Sequence, residues 1–121
     1  MSKVFGISYK QGEIILVPFP YSDLSATKKR PVLVVSNNNY NKKYEDIIVC
    51  VITSNLNKDE YSKTIRNNDL ESGFLPEDSA VKVHKLFTIS KSRVIKKFSR
   101  VKKEFYKAIY SKLKELFDEE N

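Results

Sequence analysis

A chain of 121 residues, 40% hydrophobic and 31% charged, is long enough to bury one core and too apolar to stay disordered. One cysteine excludes an internal disulfide, and one cysteine beside one histidine leaves no usual ligand set for zinc. No apolar run would span a bilayer and residues 1–10 lack the apolar stretch of a secretion signal, so 1–121 reads as one cytoplasmic domain with no membrane segment.

Gly12 to Val17 predicts a first strand, stopped by Pro18 and Pro20. Tyr21 to Lys29 reads as a polar loop. Pro31 to Ser36 predicts a second strand, with proline tolerated at its start. Asn37 to Glu45 reads as a second polar loop. Asp46 to Thr53 predicts a third strand, and its continuous apolar run implies burial on both faces. Cys50 within it is expected to be a buried, inert thiol.

Tyr61 to Arg66 predicts a short, weaker strand, and 67–69 and 72–73 carry turn chemistry. From Ser79 to Leu86 apolar and polar residues alternate, which puts Lys82 and His84 on one strand face. Ser92 to Phe98 predicts a last strand or ribbon. Val101, Phe105, Ile109, Leu113 and Leu116 then recur at helical spacing, with Ala108 and Phe117 alongside and Ser99 as a candidate N-cap. Asp118, Glu119 and Glu120 fall where the helix dipole disfavours acids, so the helix is expected to fray there. Five or more short strands and one terminal helix imply a mainly β domain, a small barrel closed by a helix.

Net charge is +7, and its location says more than its size. Residues 91–103 hold Lys91, Arg93, Lys96, Lys97, Arg100, Lys102 and Lys103 and no acid; the remainder balances, 22 − 7 = 15 basic against 15 acidic residues. A focused patch of this kind suits a polyanion, either nucleic acid or an acidic protein segment, and is also what a solvated lysine-rich face looks like.

Three side chains stand out as carriers of chemistry. Arg30, at the mouth of one core strand, has the planar fork that matches phosphate oxygens, or else pairs with Asp23 or Glu13 as a surface arginine. Thr53, at the end of another, offers a hydroxyl to a phosphate oxygen or to an attacking 2′-hydroxyl, or simply ends a strand. His84 is the only histidine, of the pKa class suited to general acid or base work, although lone histidines are more often structural. Phe19, Tyr21, Tyr40 and Tyr44 flank the two polar loops, where they would stack on unpaired bases or plug the barrel ends. There is no glycine-rich phosphate loop, nucleotide fingerprint or metal-ligand cluster, so neither a metal nor another cofactor is expected.

Gly12-Glu13-Ile14, Lys29-Arg30-Pro31-Val32-Leu33-Val34-Val35 with Asn41 after it, Val51-Ile52-Thr53, Asp78-Ser79-Ala80-Val81, Phe87-Thr88-Ile89 and the terminal amphipathic helix occur in the order in which the MazF/PemK toxin ribonucleases carry similar blocks. The chain resembles that family along nearly its whole length. The resemblance implies an SH3-like barrel of the CcdB/PemK type, usually a homodimer, and metal-independent cleavage of single-stranded RNA by the 2′-hydroxyl of the cut nucleotide. It also implies an antitoxin whose acidic, disordered segment wraps the active groove.

Arg30 and Thr53 match the family's two recurrent active-site positions. His84 lies four residues before Thr88, where some members carry an acidic base, and Lys82 falls where such members carry a proposed arginine acid. His84, or a group in the Tyr21–Lys29 loop, would move the proton. Tyr21, Ser25, Thr27, Lys28, Lys29 and Lys82 would contact RNA. Two features depart from the family pattern: Asp23-Leu24-Ser25-Ala26-Thr27 lacks the glutamate common in that loop, and Ser99 or a neighbour replaces a glycine common before the helix. The alternative expectation is a CcdB-like or RNA-binding module that acts by binding alone.

Overall fold

The computed structural model describes residues 7–18, 28–57 and 59–120. Among these residues seven strands form one antiparallel sheet: β1 (Glu13–Pro18), β2 (Lys29–Val34), β3 (Asp46–Thr53), β4 (Ser62–Ile65), β5 (Leu70–Ser72), β6 (Ser79–Ser90) and β7 (Lys96–Val101). Helix α1 (Asn38–Lys43) joins β2 to β3, and α2 (Lys103–Phe117) follows β7. The strand order is β4-β6-β3-β2-β1-β7-β5, so β4 and β5 are the two edges. Yet β4 ends at Ile65 and β5 begins at Leu70, with one 3-10 turn (Asn67–Asp69) between them. Five Cα steps reach ~17 Å at most, whereas six strand spacings across a flat sheet come to ~29 Å. The sheet must therefore curl until its edges approach, which makes it barrel-like.

Both faces of the central strands are buried, and this explains their unbroken apolar runs. On one face Ile14, Leu33, Cys50, Ile52, Val81 and Val83 pack with Phe105 and Ile109 of α2. On the other Ile15, Val17, Val32, Val34, Ile47, Val49 and Ile89 pack with Tyr9. Burial raises the Cys50 thiol to about 12, as expected of an inert cysteine. Native protein at pH 8 should leave an aromatic disulfide reagent unreacted, and unfolding in guanidinium should release one equivalent of thiol. Immediate reaction in native buffer would contradict this packing.

Several expected boundaries shift for local reasons. Asn37–Glu45 is not all loop: Asn37 caps α1, its side chain accepting the Tyr40 N–H at 2.8 Å. The last strand is β7, later than the 92–98 expected; a 3-10 turn, Lys91–Arg93, precedes it. Ser99 is not the helix cap. It is buried in β7, where its hydroxyl donates to the Ser72 carbonyl at 2.7 Å, and Lys102 takes the cap position without a side-chain bond. Val101 accordingly belongs to β7, and Phe117 stays 69% exposed, outside the buried stripe. Residues 72–73 are a turn as expected, but β5 runs into it. Gly73 has φ +76°, and a Cβ there would lie 2.3 Å from the Phe98 carbonyl oxygen, so only glycine allows this approach to β7. The helix stops at Phe117, ahead of the three acids. No helix among the described residues is long and apolar enough to cross a membrane.

Candidate active site

β2 and β3 pair in the register Val32 with Val51, Leu33 with Cys50 and Val34 with Val49. Side chains alternate along each strand, so Val32 and Val34 share one face with Ile47, Val49 and Val51. Two residues further, at 32 − 2 and 51 + 2, that face runs out at Arg30 and Thr53. The apolar rows that build the second core thus end in one guanidinium and one hydroxyl on the same side of the sheet. Both line a groove of about 530 Å³ with Val51, Asn55, Asn57, Lys82, Lys85, Leu86 and Phe87.

The groove owes its other wall to an irregularity in β6. Cys50 pairs with Leu86 but Val51 pairs with Lys82, so β3 advances one residue while β6 advances four. Val83, His84 and Lys85 bulge out of the ladder. The bulge brings Lys82 and the Lys85-Leu86-Phe87 run around the same cavity. It also separates Lys82 from His84, which the simple alternation had placed together. His84 is exposed, its ring 6.3 Å from that of Tyr61, and it is not part of the groove lining.

The β3–β4 connection forms the rim. The Thr53 hydroxyl oxygen accepts the Asn55 N–H at 3.1 Å, and the Asn55 side-chain oxygen accepts the Asn57 N–H at 3.1 Å. Lys82, a residue only 9% exposed, donates to the Asn57 carbonyl at 2.9 Å and to the Asp59 carboxylate at 3.2 Å. Asp59 also accepts from the Ser62 hydroxyl and the Tyr61 N–H. The Ser62 bond first, then those from Lys82 and Tyr61, hold its carboxyl below the usual carboxylate range. The Lys82 ammonium is thus already engaged within the protein.

Of the other residues singled out in the sequence, Lys28 and Lys29 are exposed at the start of β2, beside the groove but not lining it. Phe19, Tyr21, Ser25 and Thr27 lie outside the described residues. Tyr40 and Tyr44 stack on each other, centroids 4.7 Å apart. Tyr44 faces a second cavity of about 740 Å³ with Lys42, Lys43 and Lys91. That cavity is larger, but it contains neither Arg30 nor Thr53, and the smaller groove is the better candidate on chemistry. Asn55, Asn57, Lys85, Leu86 and Phe87 were not foreseen as lining residues. The Asn-x-Asn-x-Asp spacing of 55–59, rich in side chains that fold back on the backbone, was the available signal for the first two.

Among the described residues there is no group of three or more His, Cys, Asp or Glu side chains placed to hold a metal ion. No curated protein matches the chain. Among solved structures, an endoribonuclease from a mycobacterial species in complex with its cognate antitoxin is similar in fold: TM-score 0.74 and 18% identity, covering 89% of this chain and 93% of that one. The Mycobacterium tuberculosis toxin MazF-mt6 superposes with TM-score 0.72 at 16% identity, covering 90% and 99%. A MazE–MazF structure from Deinococcus radiodurans gives 0.70 at 18%, covering 94% and 99%. At these identities the likeness speaks for the fold, a small barrel of the expected type. The model of the PemK-like, MazF-like toxins of type II toxin–antitoxin systems matches residues 10–117, nearly the whole chain, and the chain belongs to that family.

Proposed function

We propose that this chain is the toxin of a type II toxin–antitoxin pair and an endoribonuclease that cuts single-stranded RNA by transesterification. The observation that carries the reading is the meeting of Arg30 and Thr53 in one groove. In the proposed reaction the ribose 2′-hydroxyl attacks the adjacent phosphorus. The 5′-oxygen leaves with the bonding electrons and takes up a proton. The products are a 2′,3′-cyclic phosphate and a 5′-hydroxyl. Arg30 stabilises the negative charge that builds on the phosphorane oxygens, and Thr53 orients one of them. Because an amide N–H already occupies one lone pair of its hydroxyl, the O–H hydrogen of Thr53 is the part suited to an oxygen of the substrate. Lys85 adds a cation to the lining beside Arg30 and the Asp59-paired Lys82. Lys28 and Lys29 would steer the strand towards it.

A further group must carry the proton. His84 would have to come in from the bulge to serve, or a group in the Tyr21–Lys29 loop would act. The reaction needs no metal in this scheme, since the nucleophile is intramolecular and the charge is met by side chains. The partner of the toxin would be an acidic antitoxin segment, and the active unit a homodimer.

One observation favours a second reading, binding without cutting: the described lining holds no imidazole and no carboxylate. Incubation of the pure protein with single-stranded RNA in excess chelator separates the two. Fragments ending in 2′,3′-cyclic phosphate are expected, with DNA of the same sequence left whole because it lacks the nucleophile. RNA that is retarded in a gel but intact would sink the enzyme reading.

A further inference from the structure

We infer that Lys82 is a positioning residue, not an RNA-contacting or proton-donating one. It acts through Asn57 and Asp59, holding the rim formed by Thr53–Asn57 in the shape that aims Thr53 and the two asparagines into the groove. The inference rests on the proposed ribonuclease reading only for its effect on catalysis; the clamp itself is a property of the free protein.

The geometry forms a continuous chain of bonds. Thr53 accepts from the backbone of Asn55, Asn55 accepts from the backbone of Asn57, and the Asn57 carbonyl accepts from Lys82. The same ammonium meets Asp59, and Asp59 is fixed to the start of β4 through Ser62 and Tyr61. Lys82 sits in β6 directly across from Val51 on β3 and Ser62 on β4. One side chain therefore anchors the connection, at Asn57 and Asp59, to the strand that lies between β3 and β4 in the sheet.

Burial separates this role from phosphate binding. The Lys82 side chain is 11% exposed and its Asp59 partner 44%. A phosphate approaching Lys82 would have to displace a carboxylate that other donors hold in place. The pair carries no net charge, so it adds little to the attraction of RNA for the groove. That attraction falls to Arg30 and Lys85. A lysine bound this way has two of its three protons committed, one to the carbonyl and one to the carboxylate. Loss of the clamp should loosen the rim without removing a cation that RNA meets, so the defect belongs in turnover. Misplacement of a reacting group by about an ångström can cost up to ~10²-fold.

The test uses Lys82→Met, which keeps the stem, and Asp59→Asn, at a more exposed position that spares the fold, singly and together. For each, kcat and KM on a short single-stranded RNA are measured over a range of salt, and hydrogen exchange at the Asn55, Asn57 and Tyr61 amides is read in the free protein. The expected result is a kcat lowered by ~10–10²-fold in both single variants, a double variant no worse than either, KM and its salt dependence close to wild type, and faster exchange at the three amides. A raised KM with kcat retained and a salt slope smaller by about one would overturn it, because that is the signature of a lost phosphate contact. Tighter RNA binding by Asp59→Asn would overturn it equally, by showing that the freed ammonium seeks RNA. Should the wild-type protein not cut RNA, the ribonuclease reading fails by itself. The clamp is then judged on exchange alone, and unchanged protection in both variants rejects it.

Discussion

Replacing Arg30 by alanine is expected to lower kcat/KM for RNA cleavage by on the order of 10²–10³-fold while leaving the fold in place. The size follows from what the side chain is asked to do. Charge accumulates on the phosphorane oxygens only as the transition state forms, so a fixed guanidinium at that point acts on the barrier more than on binding. Fold retention follows from position. Arg30 is partly exposed near the open end of β2, past the last fully buried residue of its row, Val32. Arg30→Lys should recover little, because an ammonium lacks the planar fork. The check is single-turnover cleavage with product ends analysed, alongside a thermal melt. An alanine variant that cuts at the wild-type rate would remove Arg30 from the site, and with it the main support for a ribonuclease.

Asn41→Ala is expected to be the most damaging polar substitution for stability, about 3 kcal/mol, with Tm lower by roughly 10 °C. Asn41 is 2% exposed. Its amide donates to the Tyr9 and Ser36 carbonyls, each at 3.0 Å, and its oxygen accepts from the Ser36 hydroxyl. That hydroxyl in turn accepts the Ile48 N–H at 3.0 Å. One side chain thus ties the segment before β1, the end of β2 and the start of β3. Truncation leaves two carbonyls buried without their donors, each costing ~1–3 kcal/mol. Asn41→Asp should be worse, since a carboxylate cannot donate to either carbonyl. Urea melts of both variants give the number. A loss below ~1 kcal/mol would mean that water replaces the amide. RNA cutting at low temperature should persist in Asn41→Ala, because Asn41 lines the other cavity and not the Arg30 groove.

The central strands and α2 were legible because their signal is periodic. Val32 to Val35 and Ile47 to Ile52 are apolar without a break since both faces are buried, and the Phe105–Ile109 spacing marks the helix stripe. What escaped was aperiodic or long-range. Helix α1 has five polar residues and one tyrosine in its range, with only Asn37 to announce it. β5 is three residues long and owes its existence to β7, which could not be read from Leu70-Glu71-Ser72. The β6 bulge depends on how two strands meet, so alternation from Ser79 to Leu86 misplaced His84. The pairing of Lys82 with Asp59 spans 23 residues, and no spacing rule links them. Arg30 and Thr53 were the favourable case: each ends an apolar row whose face is fixed by alternate residues of its own strand, Val32 and Val34 after Arg30 and Val49 and Val51 before Thr53.

The pairing of β1 with β7, Glu13 opposite Arg100, has a price during synthesis. β1 ends at Pro18 and β7 begins at Lys96, so 78 residues (96 − 18) are translated before the first strand meets its outer neighbour. At ~5–20 residues per second the ribosome takes ~4–16 s to supply that partner. Through that interval Ile14, Ile15 and Val17 present an unpaired apolar edge, the kind of segment that sticks to other nascent chains. A newborn copy therefore cannot close its barrel until residues 96–101 have been made, and the edge of β1 waits that long for its cover.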